Sequence, residues 1–221
     1  MDEKPQVLTP RRSRRRGDDL VQAVYAAVLA EVAELGVGGL TMEGIAKRAA
    51  TAKTSLYRRW PSPRELLLDA LYEAHPQELP SPGADDLRGD LIQALEQLVG
   101  WMVAPAGIAV MAVMAERQRH PDLVEALYDR VFDARGGTFT YTVLRHYAAQ
   151  GQIDPDLITP VVRDIGEALV FKHVTDTDEL PDDEKLAAIV DQAILPAIGI
   201  PPARKPWSPT PDGDPTQPST N

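Results

Sequence analysis

The sequence predicts an all-α protein in two parts, a small N-terminal helical unit and a larger helical domain behind it. Three observations carry that reading. Apolar residues recur three and four positions apart, as on one face of a helix, from Leu20 to Leu35 and through much of the chain after residue 85. The β-branched clusters follow the same helical spacing rather than the two-residue alternation of a strand. Pro61, Pro105, Pro121, Pro155 and Pro181 fall between the periodic stretches, where helix punctuation belongs.

Each element can be justified in order. Residues 1–17 are polar and include RRSRRRG at 11–17, read as a disordered basic arm. Asp18 and Asp19 suit the positive start of a helix over 18–35, and Gly36 suits its stop. After the turn at 36–39, Thr41 is a candidate N-cap for a helix over 42–49 with Ile45, Ala46 and Ala49 inward. Ala50-Thr51-Ala52 then forms a three-residue turn into a second short helix over 53–60, halted by Pro61. Ala50 is a poorer residue than Gly for a left-handed backbone, and Ala52 cannot cap, which leaves capping to Thr51. Ser62 caps a helix over 63–74 with Pro63 first and Glu65 third. Further helices are expected over 85–103, 106–118, 121–150 (weak at Gly136-Gly137), 155–174 and 183–198. Residues 201–221 hold 7 of the 20 prolines and are read as a disordered tail.

Composition narrows the function. With no Cys in 221 residues there is no disulfide framework, thiolate metal site or Cys nucleophile, in keeping with a reducing cytoplasm. No apolar run reaches the roughly 18 residues of a membrane span, so no membrane partner is expected. The net charge is -10, but it is unevenly placed. Residues 1–72 carry 12 Lys and Arg against 9 Asp and Glu, whereas residues 73–221 carry 11 against 24. A positive end on an acidic chain points to a polyanion partner there and a different task elsewhere.

The positive end has a matching geometry. Two short helices joined by three residues have the spacing of a helix-turn-helix. Ile45, Ala49 and Leu56 can pack them on the preceding helix, and the second helix, about 12 Å long, fits a DNA major groove about 12 Å wide. Lys53, Thr54, Ser55, Tyr57 and Arg58 are then exposed, able to reach base edges or phosphates. The helix N-terminus at Thr41 attracts a phosphate, and Arg64 can clamp the opposite strand. Arg48 joins this DNA-binding set. The RRSRRR arm is read as following the phosphates or entering the minor groove, against the plainer reading of a solvated tail.

The stretch GLTMEGIAKRAATAKTSLYRRWPSPRELLLDAL, residues 39–71, resembles the DNA-binding segment of the tetracycline-repressor (TetR) family of bacterial regulators. The Leu56-Tyr57 pair, Trp60 and the helix that follows carry the likeness. The turn departs from the family pattern of Gly, an apolar residue and Ser. The resemblance implies an all-α homodimer on a palindromic double-stranded DNA operator, released when a small molecule fills its C-terminal domain. It gives Arg64 the place of a phosphate-binding Lys. The domains expected are a helix-turn-helix unit over 18–62, a linking helix and connection over 63–79 and a ligand-binding and dimerisation domain over 80–200.

In that larger domain Trp101, Met102, Met111, Met114, Phe132, Phe139 and Tyr141 are the adaptable side chains that can line an apolar pocket, or else form ordinary core. Val162, Ile165, Leu169, Ile189 and Ile194 lie on stripes of the last two helices. The resemblance implies that these pair with their twins as a four-helix dimer interface. The four histidines have no ligand spacing, and no GxSxG, phosphate loop or zinc signature occurs, so neither a metal, a cofactor nor an enzyme is expected. Two other readings stay open: a regulator whose C-terminal domain binds a protein, and a helical enzyme with a degenerate DNA-binding unit.

Overall fold

The structure, a computed structural model, describes residues 11–75, 86–132 and 139–201, and of 11–16 the backbone alone. The expectations for residues 1–10, for the Pro-rich break near 80, for Gly136-Gly137 and for the tail beyond 201 lie outside the described residues. The described residues hold helices and no strand.

Helix α1 spans Arg11–Leu35 and begins inside the expected disordered arm. The correction has a physical basis, because Arg is a good helix former and Gly17 alone costs only about 1 kcal/mol. Gly36, at φ 70°, ends α1 in the left-handed conformation that glycine takes without strain. Helix α2 spans Met42–Arg48, and the Thr41 hydroxyl accepts the Gly44 N–H at 3.0 Å, as its capping role requires. Ala50 is left-handed, at φ 49°. The Thr51 N–H donates to the Ala46 carbonyl at 2.9 Å and the Ala50 N–H to Lys47 at 3.3 Å, closing a Schellman turn on an alanine.

Helix α3 spans only Lys53–Tyr57, shorter than the expected 53–60. Its N-cap is Ala52 with no side-chain bond, so Thr51 does not take that role. The chain leaves the helix because Trp60 turns inward: its indole N–H donates to Asp69 at 2.8 Å, and its ring meets Tyr25 edge-on at 5.9 Å. Helix α4 spans Pro63–Ala74, capped by Ser62 through the Glu65 N–H at 3.2 Å.

Helix α5 spans Leu87–Val103 and α6 Pro105–Ala115, meeting at 74°. Gly107 permits that corner, since a Cβ there would lie 2.1 Å from the Trp101 carbonyl oxygen. Helix α7 starts as Pro121–Leu127 and widens to π geometry over Tyr128–Phe132. Helix α8 spans Phe139–Ala149. A 3-10 turn occupies Pro155–Leu157, and α9 runs Pro160–Thr177 instead of the expected 155–174. Pro160 lacks the N–H that a helix interior needs, so α9 starts there, capped by Thr159. Helix α10 begins Asp183–Ile189, widens over Val190–Ile194 and closes at Leu195–Ala197. Among the described residues no single helix is long and apolar enough to cross a membrane.

Two buried clusters organise these helices. One joins α1, α2, α3 and α4 to α6 and α7, around Val28, Ile45, Leu56, Leu67 and Leu127. The other joins α5, α8, α9 and α10, around Leu95, Leu144, Val170 and Ile194. Trp101 packs against both.

Candidate nucleic-acid interface and ligand cavity

Helix α3 is anchored from below and open above. Leu56 and Trp60 are buried in the first cluster, while Lys53, Thr54, Tyr57 and Arg58 are exposed and Ser55 is half-buried. Tyr57 is 50% exposed, so its ring edge and hydroxyl are open to another molecule. The Lys53 ammonium stands 5.9 Å over the Tyr57 ring and 3.7 Å from Glu43. Such an exposed pair contributes little and releases easily to a phosphate. Thr41 is exposed beside them at the start of α2.

Behind this face, the Asp69 carboxylate accepts from both the Tyr25 hydroxyl and the Trp60 indole at 2.8 Å. Burial, then the hydrogen bond and charge of Asp69, push the Tyr25 phenol upward, so it stays a donor. This pair of bonds ties the end of α3 to α1 and α4.

Two cations of the expected DNA-binding set also hold carboxylates of the protein itself. Arg48 donates to Glu31 at 2.9 Å and to both oxygens of Glu34 at 2.9 and 2.5 Å, which holds α2 on α1. Arg64 donates to Asp122 and, at 2.7 Å, to His120 Nδ1, which holds α4 on α7. Two further bonds cross nearby: Arg130 to Glu65 at 2.9 Å, and the Val37 N–H to Glu116 at 2.7 Å. The sequence offered no sign of these pairings, because their members lie 14 to 79 positions apart.

A cavity of about 620 Å³ lies between α4, α5, α6, α7, α8 and α9. Six of the seven expected residues line it: Trp101, Met111, Met114, Phe132, Phe139 and Tyr141. Met102 does not, and packs into the second cluster on the other side of α5. The rings interlock, with His75 and Phe132 centroids 5.3 Å apart and Trp101 and Phe139 6.1 Å apart. Trp101 Nε1 is buried and without a hydrogen-bond partner among the described residues. His75, the residue that ends α4, is buried in this wall.

Sequence reasoning missed one side of the cavity. Arg163, Asp164, Glu167, Ala168 and Phe171 all face it from α9. Their spacing of three and four was a legible signal of one helix face. Glu167 accepts from the Thr140 hydroxyl at 2.9 Å and more weakly from its N–H at 3.3 Å, and burial pushes its carboxyl above the usual range.

The expected dimer stripe divides. Val162, Ile189 and Ile194 are buried in the chain's own second cluster, where α9 and α10 pack with α5. Ile165 and Leu169 are half-buried. Leu169 and Ile189 line an open groove between α9 and α10, with Lys172, His173, Asp176 and Lys185 at its edges.

Comparison with known proteins agrees with this arrangement at both ends. A sequence profile for "Bacterial regulatory proteins, tetR family" matches residues 25–70, and one for "Tetracyclin repressor-like, C-terminal domain" matches 81–193. An HTH-type transcriptional regulator of Mycobacterium tuberculosis is 30% identical over 176 residues, 79% of this chain and 86% of that one. The DNA-binding transcriptional repressor TetR of Mycobacteroides abscessus is 25% identical over 185 residues, 83% of this chain and 96% of that one. The solved TetR family transcription regulator SCO0332 superposes with a TM-score of 0.60 at 29% identity, over 80% of this chain and 97% of that one. With both profiles matched in this order along one chain, and a relative aligned through both, the chain belongs to the TetR family of bacterial transcriptional regulators.

Proposed function

We propose that this regulator is a homodimeric repressor that reads a palindromic operator with α3 and releases it when a small, largely apolar molecule fills the cavity. The observation that carries the reading is the path of α4. Its Ser62 end stands two residues from Trp60, which anchors α3, and its His75 end is part of the cavity wall. A ligand that displaces the rings around His75 therefore acts on the same rigid helix that holds the reading surface.

In this proposal Lys53, Thr54, Ser55, Tyr57 and Arg58 meet the major groove, and Thr41 offers a phosphate the free N–H groups of α2. The basic start of α1 adds phosphate contacts. Arg48 and Arg64 are left out of the set because both already hold carboxylates. A palindrome requires two copies related by a two-fold axis, and the groove between α9 and α10 supports pairing there. The protein then acts in the cytoplasm, where its operator is.

Selection of binding sites from genomic fragments tests the reading. One enriched palindrome is the expected result; uniform, salt-sensitive binding to all fragments overturns it. On the selected operator, Lys53→Ala and Tyr57→Phe should each cost about 1–3 kcal/mol by fluorescence anisotropy. Full affinity in both variants removes α3 as the reading element.

A further inference from the structure

We infer that the cavity selects an organic cation with a bulky apolar body, and that Glu167 is the group that recognises the charge. The inference rests on the reading of the cavity as the effector site.

Among the described residues three acidic or basic side chains line the cavity: Arg163, Asp164 and Glu167. Two of them cancel. Arg163 Nε meets Asp164 Oδ1 at 2.8 Å, both side chains are about half exposed or more, and the guanidinium stands 5.7 Å over the Tyr141 ring. Glu167 lies one turn farther along α9. Its partners among the described residues are the N–H and hydroxyl of Thr140, which are neutral donors. Among the described residues no cation pairs with it. A carboxylate largely withdrawn from water with no cation beside it is costly, and the group answers by holding its proton more tightly.

A bound cation supplies what the site lacks. The walls around it are the rings of Trp101, Phe132, Phe139 and Phe171, whose faces attract cations. About 620 Å³ accommodates a drug-sized body. The net charge of -10 raises the local concentration of cations around the molecule. Among the described residues, the cation that could attract an anionic ligand is Arg163, already paired with Asp164, and Glu167 would repel it.

Tetraphenylphosphonium and tetraphenylborate test this directly, because they share a shape and carry opposite permanent charges. Triphenylphosphine oxide is the neutral control. By calorimetry on the full chain, the phosphonium should bind about tenfold or more tightly than the borate. Glu167→Gln keeps an acceptor for Thr140 and should erase that preference while leaving the neutral control unchanged, with thermal unfolding confirming that the variant is folded.

Because binding favours ionised Glu167, phosphonium affinity should climb with pH. The other titratable groups at the cavity are Asp164 and Arg163 on α9, His75 on α4, Tyr128 on α7 and Tyr141 on α8. The relevant slope is the part that Glu167→Gln removes. Equal or tighter borate binding, or a Glu167→Gln variant that keeps the preference, overturns the cation inference and leaves the cavity as the effector site. Ala168→Trp, which plugs the cavity, should abolish phosphonium binding. Undiminished binding in that variant, or no binding of any probe to the native chain, overturns the cavity reading and the inference together.

Discussion

Ala50 shows how a single backbone angle bears on the reading surface. Its φ of 49° belongs to the left-handed region, which an L-residue with a Cβ enters at a cost of about 1–2 kcal/mol. Ala50→Gly removes that strain but loosens the unfolded chain, so a net gain of about 0.5–1 kcal/mol is expected in the urea unfolding free energy. Glu167 supplies a second test at this scale. Burial, partly offset by the bonds from its own backbone and Thr140, leaves its carboxyl above the ordinary 4.5. The folded state therefore binds more protons than the unfolded state above that value. Stability should fall as pH rises from about 4.5 through the raised value, because ∂ΔG/∂pH is negative when the native state holds the extra proton. Glu167→Gln should flatten that part of a melting-temperature profile.

At the scale of elements, what matters is where helices stop and touch. α3 ends at Tyr57 because Trp60 is drawn to Asp69 and Tyr25, which leaves a helix of five residues. The π-widened end of α7 places Tyr128 and Phe132 on the cavity together, edge-on at 5.3 Å. The α5–α6 corner depends on Gly107 lying against the backbone of Trp101. Backbone cannot yield as a flexible side chain can. Gly107→Ala should therefore cost about 2–3 kcal/mol in thermal unfolding and weaken cavity ligands as well, since Trp101 on α5 and Val110 on α6 both line the cavity. Loss of stability with unaltered ligand affinity would separate the corner from the cavity wall.

Across the whole molecule, the reading unit and the cavity are joined by a shared core and by a polar latch. Arg64 on α4 holds Asp122 and His120 of the α7 segment, and Arg130 returns from the π-turn to Glu65. Slight desolvation raises the exposed Asp122 carboxyl, but the hydrogen bond and charge of Arg64 outweigh it and hold the group below its ordinary value. That contribution is present at neutral pH and is lost as pH falls through the lowered value. Arg64→Met should leave operator affinity within about twofold in the absence of effector. It should reduce the effector-induced drop, which is typically about 1–3 kcal/mol for coupled sites. A large loss of bare operator affinity would instead return Arg64 to the DNA.

The sequence by itself determined the features that short-range chemistry controls. The apolar spacing defined the helical class, and Ser62, Pro63 and Thr41 marked helix starts because a cap bonds only three residues away. The α3 surface was legible because its exposed cations and hydroxyls surround one buried Leu56. Most of the cavity was legible because large soft side chains cluster on α5 to α8. Tertiary structure alone decided the partners. That Arg48 meets Glu31 and Glu34, and Arg64 meets Asp122 and His120, emerged only in space. Met102 packed on the second cluster, and Val162, Ile189 and Ile194 were buried in it. Glu167 and its neighbours went to the cavity. A helix with apolar residues on several faces does not encode which face meets which neighbour; only the packing of the whole chain assigns them.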